Sequence, residues 1–274
     1  METRINDLIR ECVAAKRPMA FGKLGKVEAE NLVRMLVRRN VVWTEDLGIN
    51  AGVFPLNHET VARWASAYLE AVECLDGAIQ WQPSLFDKQL LDTYNGRAVV
   101  SQGIEDLLPF ALKQQAWHYG LEGKRILVVH PMVQSLRLQS ARFSSIWPDA
   151  SIGELIVVPS PYSPWVSGQA KFPSFFAALD WMKNEIAKHT FDLGIIGAGA
   201  FSLPLLKFVK HLGVPCVHLG GRTQLLFGIR GSRWDSEPDA WKSEQCYNNS
   251  EHWIRPLPAD IPANGHLVEG GCYW

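Results

Sequence analysis

Two periods of apolar residues alternate along this chain. Within residues 3–15, Ile5, Leu8, Ile9, Cys12 and Val13 share one helical face, and Pro18 closes the segment. Met19–Leu24 is short and apolar enough for a strand. Gly25 follows, then a predicted helix from about Val27 to Val37 with Leu32, Val33 and Leu36 inward. Residues 40–56 lack a period, whereas Val61, Trp64, Ala65, Tyr68 and Val72 predict a helix over about His58–Leu75. Gly77–Trp81 and the region of Ala98–Val100 offer short strands within the weakly patterned stretch that runs to residue 123. The pattern then sharpens. Arg125–His130 (RILVVH) and Leu155–Val158 are continuous apolar runs, as buried parallel strands require. A helix is predicted from Pro131 to Trp147 and another over Phe172–His189. Phe191–Ile196 is a strand ending on Gly197-Ala198-Gly199-Ala200, and Ser202–Leu212 a helix with Pro204 in its first turn, where proline is tolerated. Val214–Leu219 is the last strand, ending on Gly220 and Gly221.

Strands alternating with helices imply a doubly wound, mostly parallel, Rossmann-like α/β sheet. The predicted strands lie at about 19–24, 125–130, 154–158, 192–196 and 214–219. The expectation is one domain over 1–274, with a core over 1–234 and an irregular tail over 235–274, rich in Pro, Trp, Asn and Gly, packed on that core.

Composition narrows the classes. With 27 Lys+Arg against 28 Asp+Glu, the formal charge of -1 carries no footprint for nucleic acid, and Arg34, Arg38 and Arg39 read as a solvated helix face. The 5 cysteines are scattered without a CxxC pair, which argues against a zinc site or disulfide framework, and Cys216 reads as a core thiol. The amphipathic start lacks the apolar core of a signal peptide and no apolar run reaches the ~20 residues of a membrane span, so the reading is a cytoplasmic protein without a transmembrane segment. The 11 tryptophans read mainly as packing over the core, with one or two free to stack on a sugar or base.

Open α/β sheets bind ligands just beyond the carboxyl ends of their strands, which directs attention to five segments: Lys23–Glu28, His130–Gln134, Pro159–Tyr162, Gly197–Phe201 and Gly220–Gln224. Gly197-Ala198-Gly199 sits between strand and helix, where small residues admit a phosphate, but Ser202 holds the third glycine position of a dinucleotide fingerprint and no acid ends the next strand, VPCVHLG. A tight turn is as good a reading as a phosphate site, and a nicotinamide oxidoreductase is disfavoured. No P-loop lysine motif, HExxH or GxSxG is present. Gly220–Trp234 reads as one loop with four glycines and three arginines; Arg222, beside Gly220 and Gly221, is placed to reach a diphosphate. Arg230 and Arg233 are placed to pin the tail through Glu237, Asp239, Glu244 or Glu269, and solvated or paired arginines are the competing account of the whole loop. In Lys23-Leu24-Gly25-Lys26-Val27-Glu28, Glu28 falls in the first turn of a helix, which suits a dipole-stabilised carboxylate as well as a general base or cation ligand. His130 ends its strand as a possible acid/base or phosphate donor, or as a capping histidine.

These residues also carry a resemblance. FGKLGKVEAENL resembles the N-terminal RxGDGE-type signature of the GT-D fold glycosyltransferases. FDLGIIGAGAFSLPLLKFVKHLGVPCVHLGG resembles the strand–turn–helix–strand ending of that superfamily, and GGRTQLLFGIRGSRW with VEGGCYW looks like a GT-D-like branch found in polysaccharide contexts. The resemblance implies a glycosyltransferase that moves a sugar from a nucleotide-sugar donor to a carbohydrate or lipid-linked acceptor in polysaccharide or glycoconjugate biosynthesis. It implies a catalytic role for Glu28 and donor or phosphate contacts from Lys23, Gly25, Lys26, Gly197, Gly199, Gly220, Gly221 and Arg222; His130 joins Glu28 as a catalytic candidate through its place at a strand end. The family's Asp-x-Glu motif supports metal and donor binding; Glu28 matches the Glu, but Lys26 stands where the Asp belongs. No tightly held metal is expected, and Mg²⁺ or Mn²⁺ would enter only with the donor. The alternative is a non-catalytic nucleotide- or sugar-binding subunit of a biosynthetic complex.

Overall fold

The computed structural model describes residues 5–80, 85–101, 107, 115–235 and 250–274. Seven strands are described: β1 (Ala20–Lys23), β2 (Gly77–Ile79), β3 (Val99–Ser101), β4 (Arg125–His130), β5 (Glu154–Pro159), β6 (Leu193–Ile196) and β7 (Cys216–His218). They form one sheet in the order β3-β2-β1-β7-β6-β4-β5, and every pair is parallel. This is an α/β arrangement of the Rossmann-like kind, with a strand at each place the apolar runs predicted one. The described helices, in chain order, are α1 (Ile5–Ala15), α2 (Lys26–Arg38), α3 (Asp46–Ile49), α4 (His58–Glu73), α5 (Leu85–Tyr94), α6 (Val133–Ser140), α7 (Phe143–Ile146), α8 (Pro164–Ser167), α9 (Phe175–Ala187), α10 (Ser202–His211) and α11 (Arg222–Leu226). None of them is long and apolar enough to cross a membrane.

A parallel sheet buries both faces, and two apolar clusters do so here. Leu127, Val129, Ile196 and Cys216 face α2, α4, α5, α9 and α10; Ile126, Val128, Ile195 and Val217 face α1, α6, α7 and α11. The alternation along each strand assigns its side chains to these two layers. Helix starts are fixed locally where the sequence offers a cap: Asn57 accepts from the Thr60 amide at 2.9 Å, and Ser174 from that of Ala177 at 3.2 Å.

Three expectations need correction. Leu36 is not inward: Met35 takes the core position and Leu36 is exposed, because the buried stripe of α2 runs through Ala29, Leu32, Val33 and Met35. The helix expected from Pro131 to Trp147 is two short helices, since residues 141 and 142 break the ladder between α6 and α7. The stretch after Gly221 is not one loop, since it contains α11 and a 3₁₀ turn at Ser232–Trp234. Trp81, Cys246, Glu237, Asp239 and Glu244 lie outside the described residues.

The described part of the tail, 250–274, is fastened by hydrogen bonds rather than by regular elements. Its Asp260 carboxylate accepts from the amides of Gln134 (3.1 Å) and Ser135 (2.6 Å) and from the Ser135 hydroxyl (2.6 Å), capping α6 from more than a hundred residues away. Gln139, on α6, donates to the carbonyls of Phe227, Gly228 and His252. Removing the cap leaves two amides of a helix start bare. Asp260→Ala is expected to lower stability by roughly 2 kcal/mol, read from urea unfolding. An unchanged midpoint at unchanged slope would show that the tail does not secure α6.

Candidate functional site

Helices leave the sheet in opposite directions above its middle strands. β1 and β6 send α2 and α10 to one face, while β4 and β7 send α6 and α11 to the other. The chain parts there, and a crevice of about 600 Å³ opens at the carboxyl edge. Its wall includes Lys23, Gly25, Lys26 and Glu28 after β1, His130 at the end of β4, Gly197 and Gly199 after β6, and Gly220, Gly221 and Arg222 after β7. The structure thus brings together every residue singled out from the sequence. Ser160 and Tyr162, from the Pro159–Tyr162 segment marked at a strand end, line it too, and the structure adds His218 from β7, Arg233, and Glu269, Tyr273 and Trp274 from the tail.

Close approach explains the glycines of the β6 turn. A Cβ at Gly197 would lie 2.5 Å from Thr223 Oγ1 and 2.7 Å from His130 Cδ2, so α11 and β4 close directly on that residue. Gly199 has φ +53, a conformation that favours glycine, and a Cβ there would sit 2.6 Å from the Ala51 carbonyl oxygen. The amides of this turn are largely spent within the chain. Gly197 donates to the Val129 carbonyl (2.8 Å), Ala198 to Ser202 Oγ (3.0 Å) and Ala200 to the Ala51 carbonyl (2.8 Å). Ser202 therefore does more than interrupt a glycine fingerprint: its hydroxyl takes an amide that a pyrophosphate would otherwise engage. At α6 the corresponding amides go to Asp260. The first-turn amides of Lys26 and Val27, on the crevice wall at α2, have no partner among the described residues.

The crevice therefore addresses a ligand chiefly through side chains. Glu28 is 8% exposed and folds back over Gly25, whose amide donates to Tyr68 Oη at 3.2 Å. Burial raises the Glu28 carboxyl above its ordinary range, against the pull of the Lys23 ammonium. Burial lowers the Lys23 ammonium; Glu28 and Asp87 oppose that shift, while Arg233 and Arg222 add to it. Lys23, Arg222 and Arg233 thus form one field of positive charge with Glu28 inside it. Arg222 opens α11 and is itself 8% exposed, so it is part of the packed wall and not the free loop arginine expected from the sequence.

Arg233 pairs with Glu269, donates to Tyr273 Oη at 2.9 Å and lies 4.8 Å from the centre of that ring. Of the acids expected to hold it, Glu269 is the one within the described residues that does so. Arg230 pairs instead with Asp235, at 3.6 Å. The Tyr273 ring covers Gly221, and Gln224 Nε2 donates to the Tyr273 carbonyl at 3.2 Å.

Among the described residues no three His, Cys, Asp or Glu side chains gather as a metal-holding group. Glu28 is set among cations, and Lys26 occupies the next position but one. No family model, curated protein or solved structure matches the chain.

Two histidines end apolar strands beside the crevice, His130 on β4 and His218 on β7, and the sequence reading singled out only the first. His218 carries the same signal, a polar ring closing a buried run. Burial lowers both imidazoles to about 3, as it does that of His118 beneath Trp147, so His130 is neutral near neutral pH and is not poised to titrate there. Unfolded, each protonates near the ordinary 6.5; folded, only near 3. Between those values the unfolded state holds the extra protons, so stability falls as pH falls. Each such proton contributes about 1.4 kcal/mol per pH unit to the slope. His118→Leu, remote from the crevice, is expected to remove one proton from the uptake on unfolding between pH 6 and 4.5, measured by urea denaturation across that range. An unchanged slope would contradict the burial account.

Proposed function

We propose that this chain is a glycosyltransferase of the GT-D-like kind, moving a sugar from a nucleotide-sugar donor to a carbohydrate or lipid-linked acceptor. The observation that carries the reading is the convergence, in one crevice at the carboxyl edge of a parallel sheet, of the residues read as catalytic or donor-binding. A nucleoside diphosphate sugar carries its negative charge on the diphosphate, and that charge grows as the sugar leaves. Lys23, Lys26 and Arg222 surround the place where such charge would rest, beside the amides that open α2. Fixed cations supply there what a divalent ion supplies elsewhere, and Mg²⁺ or Mn²⁺ would arrive with the donor's phosphates. Tyr162, Trp234, Tyr273 and Trp274 give the wall the aromatic surface that suits a sugar ring or base.

A second reading, a non-catalytic nucleotide- or sugar-binding subunit, draws on the posture of Glu28. Its carboxylate folds onto the start of its own helix, which is a complete structural role without chemistry. Thermal shift and calorimetry with UDP, GDP, CMP, dTDP and NAD, followed by turnover assays with the matching nucleotide sugars, separate the two. The transferase turns the donor over; the subunit binds without turnover; failure of every sugar nucleotide to bind ends both.

The arginines divide this work. Removing a charge-assisted contact to a ligand phosphate costs about 1.5–3 kcal/mol, so Arg222→Gln is expected to weaken nucleoside diphosphate binding roughly tenfold to a hundredfold in calorimetry. Because Arg222 is buried, its melting temperature is also expected to fall. Arg233→Ala, which frees the tail from Glu269 and Tyr273, is expected to lower the melting temperature by about 2–4 °C while nucleotide affinity holds within threefold. Parent-like binding in both variants would make the arginines structural and remove the local support for a phosphate site.

A further inference from the structure

The two strand-end histidines are held in opposite tautomers. Both are anchored close to the end of β6. His130 packs its ring edge on Gly197, and its Nδ1 accepts the Met132 amide at 3.1 Å, so the proton of the neutral ring sits on Nε2. His218 Nδ1 lies 2.9 Å from the Ile196 carbonyl oxygen. A carbonyl can only accept, so at that distance Nδ1 carries the proton and the lone pair is on Nε2. The Gly220 amide approaches the same Nδ1 at 3.3 Å, and the shorter contact decides the assignment. Both rings line the crevice. With each Nδ1 tied to the backbone, His130 offers the ligand an N–H and His218 offers it a lone pair.

Building on the glycosyltransferase reading, we propose that His218 Nε2 takes the proton of the acceptor hydroxyl and that His130 Nε2–H donates a hydrogen bond to an oxygen of the donor diphosphate. The acceptor oxygen bonds to the anomeric carbon as its proton passes to His218. The bond between that carbon and the diphosphate oxygen breaks, its electron pair leaving with the nucleoside diphosphate, and His218 afterwards releases the proton to water. Burial first, and the Lys23 charge second, hold the His218 imidazole neutral, so it takes the proton only as the bond to the diphosphate breaks and the attacking hydroxyl acidifies. Lys23, adjacent to it over Gly220, opposes the imidazolium until an arriving diphosphate offsets the ammonium charge. Donor binding thereby relieves the smaller of the two causes that hold the ring neutral, burial being the larger.

Ring-¹⁵N correlation spectra of the protein, assigned with His130→Gln and His218→Asn, test the tautomers without any ligand. His218 protonated at Nδ1 and His130 at Nε2 is the expected result; the same tautomer in both, or an Nε2 proton on His218, overturns the proposal. His218→Asn keeps a donor near the Ile196 carbonyl and removes the Nε2 lone pair. With UDP-glucose, UDP-galactose and GDP-mannose as donors and water as acceptor, nucleotide release is expected to fall about 100-fold or more, with UDP or GDP affinity within threefold of the parent. A smaller fall, or loss of nucleotide binding in the variant, refutes the base. A parent protein that binds and turns over none of these donors fails the glycosyltransferase reading itself and takes the base with it, while the spectra still report the tautomers.

Discussion

Because the strands are all parallel, all of their carboxyl ends fall on one edge, and the edge must be completed there. Ladder partners run out at that edge, yet the groups are too deep in the molecule to be left bare. Much of the completion comes from elsewhere in the same chain. Asp260 from the tail reaches α6, the Ala51 carbonyl reaches the start of α10, Ser202 turns back on Ala198, and the rings of His130 and His218 bond the backbone that follows or flanks them. The crevice is the space left over once those demands are met. Its walls are positioned by the same bonds that stabilise the fold.

That origin explains its chemical character. A dinucleotide site of the glycine-fingerprint kind depends on free amides at a helix start, and here the β6 turn spends most of its amides internally. What remains is a set of long side chains rooted on separate strands. Lys23 and Glu28 shift one another's ionisation because both have left water. A buried pair of this type contributes little net stability, since desolvation offsets its attraction.

The parts of the fold legible in the sequence were those fixed by local pattern. RILVVH is a continuous apolar run because both faces of its strand are covered, and Leu193–Ile196 and Cys216–His218 follow the same rule, whereas ELIVVP, at the edge of the sheet, fully buries only Ile156 and Val158. Of the three-residue strands, β2 lies within and β3 overlaps a segment read as a short strand. Patterns that differ by one residue were less legible. Met35 and Leu36 are both apolar, and only the packing of α4 and α5 against α2 decides which is covered. The clustering of the glycine and lysine motifs followed from the rule that strand ends converge. The burial of Arg222 did not, because it depends on a five-residue helix inside what reads as a glycine-rich loop. The capping role of Asp260 was equally hidden: nothing near it in the chain distinguishes it from Asp235, which instead pairs with Arg255 at 2.6 Å.

The tail joins these observations. Tyr273 closes over Gly221 while its hydroxyl accepts from Arg233, and the Glu269 amide bonds Asn50 Oδ1 at 3.1 Å, on the segment whose Ala51 carbonyl supports the β6 turn. One strap thus touches the turns after β6 and β7 and an arginine that acts on Lys23. Glu269 answers the Arg233 charge locally, so the hold of the tail and the positive field around Lys23 share one guanidinium. Charge arriving in the site and the hold of the tail on the core are consequently parts of one electrostatic balance, set by how many carboxylate oxygens face how many cationic groups along a single edge of the sheet.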